Sequence, residues 1–315
     1  MTQYLLFRTQ HLRANGLAMK ALIKRIVVRD HVLTRSVLAP YRLWYAAQYY
    51  TPTIRLIWKW LVKSKETTNY TYDLTPTNLR YLAHYVSVIT ACPLQRIMEY
   101  FHEPEYDSDL IKHLASAARC SPVPGVTDDY PHFGRRIVWY AFARALKPSV
   151  VVETGVDKGL GAVLLCSALV RNGQEGYPGQ YYGTDINPKA GFLLGGKYAS
   201  VGKILVGDSI QSLRGLRHVD LFINDSDHSA DYEYQEYQTI ATKISDDSVI
   251  LGDNSHCTDC LVRFAEETGR SFLFVKEQPK DHWYPGGGVG VCFNLSARLA
   301  DATMAAPVCR AAMTN

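Results

Sequence analysis

Five short, mostly apolar runs, each of which ends in an acid-containing sequence or is followed by one, constrain this sequence most. They lie at residues 150–153, 181–186, 203–206, 219–224 and 248–251. Helical patterns separate most of them, and alternating strands and helices predict a parallel sheet with helices on both faces. Two further runs, 272–276 and 290–294, are joined by a Gly/Pro-rich loop without a helix. We therefore expect an α/β fold with a doubly wound, mostly parallel sheet and an antiparallel C-terminal strand.

The turn after the first of these strands is rich in glycine and predicts a ligand site. It contains Glu153, Gly155, Gly159 and Gly161. Glycine allows a ligand to approach the backbone closely at the carboxyl edge of such a sheet. A dinucleotide fingerprint has glycines two and then three residues apart, whereas here they are four and then two apart. The preceding acid suits an amino group and opposes a diphosphate, so a Rossmann-like fold with a ligand other than a nicotinamide dinucleotide is expected.

The later strands end in acids as well. Asp185 can accept hydrogen bonds from both hydroxyls of a ribose, and Asp208, followed by Ser209, can accept one from an adenine amine. Asp225 and Asp253 follow the next two strands. A single aspartate at such a place usually caps a helix. Acids at all five strand ends favour a shared ligand site instead.

The ordered motifs resemble a known family. They are ETGVDKGLG at 153–161, GTD at 183–185, VGDS at 206–209, DSDHS at 225–229 and GDN at 252–254. Together they look like a class I S-adenosylmethionine-dependent methyltransferase, in the branch similar to macrocin O-methyltransferases and cephalosporin-hydroxylase-like proteins. The resemblance covers residues 132–295, about half the chain. It implies S-adenosylmethionine as cofactor. By this resemblance, Glu153, Gly155 and Gly159 lie around the methionine part, Asp185 binds the ribose, and Asp208 and Ser209 border the adenine.

The last two acidic strand ends predict a metal site. Asp225, Asp253 and Asn254 offer only oxygen ligands, which suits a hard cation such as Mg²⁺. The resemblance implies the same set, because related metal-dependent O-methyltransferases hold their ion with an aspartate and an Asp-Asn pair at these places. A divalent cation on a hydroxyl lowers its pKa and fixes it near a methyl donor. Asp227 could share the role of Asp225 or replace it.

Two histidines are candidates for the base that removes the hydroxyl proton. His228 follows Asp225 by three residues, and His256 follows the Asp-Asn pair. Histidine titrates near neutral pH and can act there as a general base. The alternative is structural, since a histidine at a helix start can simply bond a neighbour; we favour the functional reading for His228 and leave His256 open. Trp283 and Tyr284, before a triple glycine, could form a wall of an acceptor pocket.

The N-terminal residues differ from the rest in charge. Residues 1–63 contain eleven Lys/Arg and one acid, in a chain of net charge +4. Amphipathic helical patterns at 17–29 and 54–63 place basic residues opposite apolar ones. Peripheral contact with a membrane surface is one interpretation. Packing within the protein or in a homodimer is the commoner one, and nucleic acid is a weak third, because no recognisable nucleic-acid-binding fold accompanies the charge.

Domain organisation and location follow from the same patterns. We expect a helical, basic region at 1–130, with helices at 79–101 and 107–119, and a methyltransferase-like domain at 131–315, divided at the Pro/Gly-rich residues 121–129. Seven scattered cysteines favour a reducing cytosol. The N-terminus lacks a secretion signal pattern and no apolar run is long enough to span a membrane, so a cytoplasmic protein, peripheral at a membrane if residues 1–63 bind one, is predicted.

The predicted activity is O-methylation of a hydroxyl on a sugar, a glycan or a secondary metabolite, with divalent metal and His228 activating the hydroxyl. The acceptor is a small molecule or glycan, and a lipid-linked glycan would suit the basic N-terminus. Two other classes stay open. One is a hydroxylase or oxidoreductase on the same sheet, since a fold does not fix chemistry. The other is a non-catalytic nucleoside-binding protein. Such a protein would not need the acids that lie outside the cofactor-binding set.

Overall fold

The computed structural model describes residues 32–130, 132–227 and 229–297. The predicted helix at 17–29 and the predicted base His228 lie outside these residues. The helices are α1 Val32–Lys63, α2 Pro76–Thr90, α3 Leu94–Tyr106, α4 Ser108–Arg119, α5 Arg136–Leu146, α6 Leu160–Gln174, α7 Ser209–Arg214, α8 Ala230–Ile240 and α9 Cys260–Glu267. The strands are β1 Asp73–Leu74, β2 Val150–Thr154, β3 Gln180–Asp185, β4 Gly202–Val206, β5 Leu221–Asn224, β6 Val249–Gly252, β7 Ser271–Val275, β8 Pro279–Lys280 and β9 Val289–Phe293.

Seven strands form one mixed sheet in the order β4-β3-β2-β5-β6-β9-β7. Strands β2 to β6 are parallel, and β9 runs antiparallel to both β6 and β7. The chain builds outward from β2 in one direction and then from β5 in the other. This reversal leaves a crevice at the carboxyl ends of β2 and β5, where open α/β sheets bind ligands. The predicted doubly wound sheet with an antiparallel C-terminal strand is confirmed.

The central strands are buried because helices cover both faces. Val151 and Val152 of β2 are fully buried on opposite sides and belong to two separate apolar clusters. Thr154, the last residue of β2, pairs in register with Thr184 of β3 and Asn224 of β5. The residues that follow these three strands therefore start at one level, which brings the three polar loops together.

Helices α2 to α4 belong to the same core as the sheet. Leu82, Ile97 and Leu114, one from each helix, are buried in the apolar cluster that also contains Val151. Thr75 caps α2 by accepting a hydrogen bond from the backbone N–H of Asn78 at 3.2 Å, and Asp107 caps α4. The chain divides into two compact units between residues 59 and 60.

The single helix predicted at 79–101 is wrong, because two helices occupy this stretch. Helix α2 ends at Thr90, and Ala91 adopts a left-handed φ of 54°. Pro93 precedes α3 and has no backbone N–H for a helical hydrogen bond. Proline also disfavours helical geometry in the residue before it, so the break lies where the sequence places Pro93.

Residues 32–59 of the first unit lie in α1. Their exposed side chains include the aromatic rings of Trp44, Tyr45, Tyr49 and Trp58. Tyr45 and Tyr49, one turn apart, stack edge to face with 5.8 Å between their ring centroids. The predicted helix at 54–63 is part of α1. Among the described residues, no helix has the length and apolar character needed to cross a bilayer.

Candidate active site

A cavity of about 840 Å³ lies at the carboxyl ends of the parallel strands. Most residues that the sequence predicts for the site contribute to its wall: Gly155, Asp185, Asp208, Ser209, Asp225, Asp253 and His256. Glu153, Gly159 and Asn254 do not line it. We call Gly155, Asp157, Asp185, Asp208 and Ser209 the turn group, and Arg135, Asp225, Asp253, His256 and Tyr284 the Arg135 group.

The glycine turn requires glycine at two positions. Gly155 has a φ of +82°, and a Cβ there would collide with the backbone carbonyl of Asp225. Gly159 has a φ of +97°, and a Cβ there would stand 2.9 Å from the Cα of Gly191. Both conformations are left-handed, which side chains rarely tolerate. The turn therefore packs directly against two other loops, which gives the cavity its floor.

Asp185 holds the turn in place and faces the cavity. Its Oδ2 accepts hydrogen bonds from the backbone N–H groups of Val156 at 3.2 Å and Asp157 at 2.9 Å. Its Oδ1 accepts one from the N–H of Asn187 at 2.8 Å. A carboxylate offers about four lone-pair sites, so Asp185 can still accept from the hydroxyls of a ligand.

Asp208 and Ser209 are fixed by a buried network that the sequence did not reveal. Asp208 caps α7 through the N–H of Gln211 at 2.8 Å and accepts a hydrogen bond from the Tyr232 hydroxyl at 3.2 Å. Ser209 donates to the carboxylate of Glu236. That carboxylate also accepts hydrogen bonds from Thr154 and Ser226, and from the amide of Asn224. Burial raises the pKa of Glu236, although the hydroxyl donors oppose this.

Glu153 turns away from the cavity. It is 1% exposed and accepts a 2.6 Å hydrogen bond from the hydroxyl of Tyr181. Burial raises the pKa of this carboxyl to about 7, although Tyr181 and Arg136 oppose the rise. Glu153 therefore lies beneath the turn as a buried acid that packs against Gly161. It does not line the cavity, where it could bind a ligand directly.

The predicted metal ligands come together only in part. Asp225 and Asp253 both line the cavity and interact electrostatically. Asn254 is fully buried and does not line the cavity, and its side-chain amide has no hydrogen-bond partner within the described residues. Asp227 lies on the wall, where it accepts hydrogen bonds from the backbone and hydroxyl of Ser229.

A guanidinium occupies the place that the metal would need. Arg135 donates from Nε and Nη2 to the two carboxylate oxygens of Asp253. Burial opposes ionisation of Asp253, but the interaction with Arg135 outweighs burial, and the pKa of Asp253 is lowered. Burial and the neighbouring Asp253 raise the pKa of Asp225 well above its usual value. No group of three or more His, Cys, Asp or Glu side chains in residues 32–130, 132–227 and 229–297 could hold a metal ion. As they stand, these residues do not fit Mg²⁺.

His256 has one ring nitrogen fixed. Its Nδ1 is 3.0 Å from the backbone carbonyl oxygen of Asp253, and because a carbonyl can only accept, Nδ1 carries the proton. The lone pair is then on Nε2, as a general base requires. The ring is a wall of the cavity and packs beside Gly287. Tyr284 joins this wall, whereas Trp283 packs on Trp60 with ring centroids 5.4 Å apart.

Residues 64–72, which we call the strap, contribute Thr68, Asn69 and Tyr70 to the cavity wall. The strap is tied down by Asp128, which accepts hydrogen bonds from the Ser64 hydroxyl and the backbone of Lys65 at 2.8 Å each. Within it, Tyr70 accepts a hydrogen bond from the backbone N–H of Leu160 at 3.1 Å. From the sequence alone, the Thr, Asn and Tyr content of residues 64–77 predicts only a linker.

Arg136, like Arg135, is a site residue that the sequence analysis did not identify. Its guanidinium lies over the ring of Tyr70, 4.5 Å from the centroid, and donates to the Tyr70 carbonyl at 3.0 Å. The residue is 7% exposed, lines the cavity and has no carboxylate partner within the described residues. A signal was available. Arg135 and Arg136 stand at the start of α5, where the helix dipole disfavours cations, and a broken local rule often marks a functional site.

Comparison with known proteins identifies part of the chain. Residues 152–255, which include the carboxyl ends of the parallel strands β2 to β6, match the family described as Methyltransferase domain. The chain carries a methyltransferase domain. The narrower branch predicted from the motifs is not established by this match, which covers about a third of the chain. No curated protein sequence matches the chain.

Solved structures of similar arrangement include other methyltransferases. TomG, an O-methyltransferase from Streptomyces achromogenes involved in tomaymycin synthesis and solved with SAM, is 14% identical, with 58% of this chain and 89% of that chain covered and a TM-score of 0.42. A Podospora anserina methyltransferase solved with SAH is 16% identical, with 63% and 94% covered and a TM-score of 0.40. At these values, neither decides the substrate or the mechanism of this domain.

Proposed function

We propose that this methyltransferase domain transfers the methyl group to a hydroxyl oxygen of a sugar, a glycan or a secondary metabolite. A hydroxyl must lose its proton as it is methylated, so the site needs a base beside the acceptor. His256, on the cavity wall with its lone pair on Nε2, supplies one. This observation carries the proposal. A second base candidate, His228, lies outside the described residues and stays a prediction.

The turn group supports a pose for the methyl donor. Asp185 would accept the ribose hydroxyls, and Asp208 and Ser209 would border the adenine, as at the corresponding strand ends of other open α/β sheets. Arg136, a buried cation on the cavity wall, would bind the carboxylate of the methionine part. Gly155 lets the backbone approach the ligand. Glu153 would act from beneath the turn, by supporting it.

The chain's own residues then divide the remaining work. When bound, S-adenosylmethionine supplies a methyl group on a positively charged sulfur. His256 takes the acceptor proton on Nε2 as the oxygen attacks. The strap and Tyr284 exclude water from the cavity, which strengthens the electrostatic interactions inside it. No step is assigned to Mg²⁺, because Arg135 already engages both oxygens of Asp253.

Calorimetric titration with S-adenosylhomocysteine tests the cofactor site. We expect binding with a Kd on the order of micromolar, at least about tenfold weaker in Asp185→Ala, and no heat with NAD⁺. Asp109→Ala, at an exposed position of α4, is the matched control and should bind like the unaltered chain. If folded protein binds NAD⁺ and not the nucleoside, the oxidoreductase alternative replaces this proposal.

The base is tested by transfer of a labelled methyl group to a panel of sugars and phenols. His256→Ala should lower kcat by about 10² to 10⁴-fold while the affinity for S-adenosylhomocysteine stays within about twofold. His228→Ala, assayed beside it, decides between the two histidines. A loss of rate in His228→Ala alone transfers the role to His228. Binding of the nucleoside without transfer to any acceptor would favour a non-catalytic protein.

Helix α1 supports a peripheral membrane contact. Its exposed Trp44 and Trp58, with Arg55 and Lys59 on the same helix, are the residue types that sit at a bilayer interface. Flotation with vesicles that contain phosphatidylserine should recover the chain, and Trp44→Ser with Trp58→Ser should reduce that recovery. Equal recovery in the soluble fraction with and without vesicles contradicts it. A concentration-dependent mass in solution would point to the homodimer instead.

A further inference from the structure

The guanidinium of Arg135 is fixed from several directions. Besides its two bonds to Asp253, it donates from Nη1 to the hydroxyl of Tyr72 at 2.9 Å and to Oε1 of Glu277 at 3.4 Å. Its side chain is 12% exposed, and those of Asp253 and Glu277 are 1% and 0% exposed. A planar cation with this many bonds has lost most of its rotational freedom before any ligand arrives.

The acceptors of Arg135 are held as well. Tyr72 donates its hydroxyl to Oε2 of Glu277 at 2.7 Å, and the backbone N–H of Gly287 donates to Oε1 at 2.9 Å. Tyr72 belongs to the strap, and Glu277 and Gly287 belong to the segment between β7 and β9. Three segments distant in sequence thus meet on one cation. Such an arrangement is built, rather than a chance surface pair.

One hydrogen-bond donor of Arg135 remains. A guanidinium has five N–H groups, and four of them point to Asp253, Tyr72 and Glu277. The fifth, on Nη2, has no acceptor within the described residues, and Arg135 lines the cavity. This N–H can therefore donate a hydrogen bond to an oxygen atom of a ligand.

A divalent cation cannot share this place. Both carboxylate oxygens of Asp253 accept from Arg135, so a metal on Asp253 would have to displace the guanidinium or lie directly against its positive charge. Without Asp253, the predicted ligand set keeps only Asp225 and its alternative Asp227 on the cavity wall, because Asn254 does not line it.

We propose that Arg135 does the work of the metal: its guanidinium, fixed on Asp253, is the positive charge that faces the acceptor oxygen, and the acceptor site functions without a divalent cation. This inference rests on the proposed methyl transfer to oxygen. The Nη2–H donates to the acceptor oxygen and stabilises the negative charge that develops as His256 removes the proton. The oxygen lone pair forms the C–O bond, the C–S bond breaks, and its electron pair stays on sulfur.

Binding of Mn²⁺ alone tests the proposal without a known acceptor. The signal of free Mn²⁺ in electron paramagnetic resonance is followed as chelator-treated protein is added. The unaltered chain should bind no Mn²⁺ that depends on Asp253. Arg135→Gln, which removes the charge and frees the carboxylate, should bind Mn²⁺ at least about tenfold more tightly, and Arg135→Gln with Asp253→Asn should lose this gain. Arg135→Lys is the matched control, because it keeps a cation and should not gain a site.

Two outcomes overturn the proposal. One is Mn²⁺ binding by the unaltered chain that Asp253→Asn abolishes. The other is an Arg135→Gln variant that gains no Mn²⁺ site although it still binds S-adenosylhomocysteine and is therefore folded at the cavity. Failure of the proposed function itself looks different, because the unaltered chain would then not bind S-adenosylhomocysteine at all, whatever its response to Mn²⁺.

Discussion

The turn group and the Arg135 group share one cavity but differ in how the sequence builds them. Each member of the turn group lies at the end of a strand or within three residues of it, and Asp185 bonds to the neighbouring glycine turn. Arg135, in contrast, is bonded to residues 63, 118 and 142 positions away in the chain. Local geometry specifies the first group and tertiary packing the second. Changes in the two groups should therefore have separable effects.

The largest expected effect is on the turn group. Gly155→Ala places a methyl group against the carbonyl of Asp225 and forces alanine to a φ of +82°. We expect the affinity for S-adenosylhomocysteine to fall by about 100-fold or more in calorimetry, because the turn must move. Gly173→Ala, in α6 with nothing within 4 Å of the added Cβ, is the control and should stabilise the chain by about 0.5–1 kcal/mol. Unchanged affinity in Gly155→Ala would show that the turn does not touch the ligand.

The contrast between the local contacts of the turn group and the tertiary contacts of the Arg135 group explains which parts of the site could be predicted from the sequence. The sheet, its antiparallel end and the positions of Asp185, Asp208 and Asp253 follow from the period of apolar residues and from the fact that parallel strands end at one edge. Nothing local marks Glu236, because its four donors come together only when α8 packs under the strand ends. The Mg²⁺ prediction could not take account of such packing either. Asp253 has the right residue type, but its partner, Arg135, comes from a different part of the chain.

The next largest expected effect is on the free energy of unfolding and concerns Glu153. Its pKa is raised by burial to about 7 in the folded chain, above the ordinary value of 4.5, so the folded state holds the proton more tightly. The free energy of unfolding therefore falls as pH rises from about 4.5 to 7, by up to about 3 kcal/mol from this group. Urea unfolding should show that Glu153→Gln gains stability relative to the unaltered chain over this range and levels off above it.

A matched substitution guards this prediction. Glu266→Gln changes an exposed glutamate of α9, and its stability difference from the unaltered chain should not depend on pH over the same range. If Glu153→Gln behaves in the same way, the carboxyl of Glu153 is ionised in the folded chain. It would then be free to bind an amino group, as the sequence first suggested.

A substitution of Arg136 tests which part of the ligand this residue binds. S-adenosylhomocysteine carries a carboxylate that 5′-methylthioadenosine lacks, so a cation that binds the carboxylate should affect only the former. Arg136→Gln should weaken S-adenosylhomocysteine by about 10- to 100-fold and methylthioadenosine by less than about threefold, as measured by calorimetry. Asp185→Asn is the control, since loss of ribose contacts should weaken both ligands alike. Equal losses for both ligands in Arg136→Gln would reduce Arg136 to a support of Tyr70.

The smallest effect concerns the strap, which touches both groups. Its Tyr70 bonds to the start of α6 beside the glycine turn, and its Tyr72 bonds to Arg135. Lys158 in the turn pairs with Glu66 in the strap at 2.6 Å, with side chains only 13% and 2% exposed. Breaking such a pair leaves a charge without its partner, so Lys158→Gln and Glu66→Gln should each lower the free energy of unfolding by about 1–3 kcal/mol.

The double variant of this pair decides what the strap does. Because neither charge is then left alone, Lys158→Gln with Glu66→Gln should recover about 1 kcal/mol of the summed losses in urea unfolding. If the strap positions both groups, the single variants should also weaken S-adenosylhomocysteine by a few-fold, since Tyr70 would no longer be held over the turn. Full additivity of the two losses would mean that the pair contributes nothing as a pair. An unchanged nucleoside affinity would confine the strap to the Arg135 group, where Tyr72 alone connects it to the chemistry.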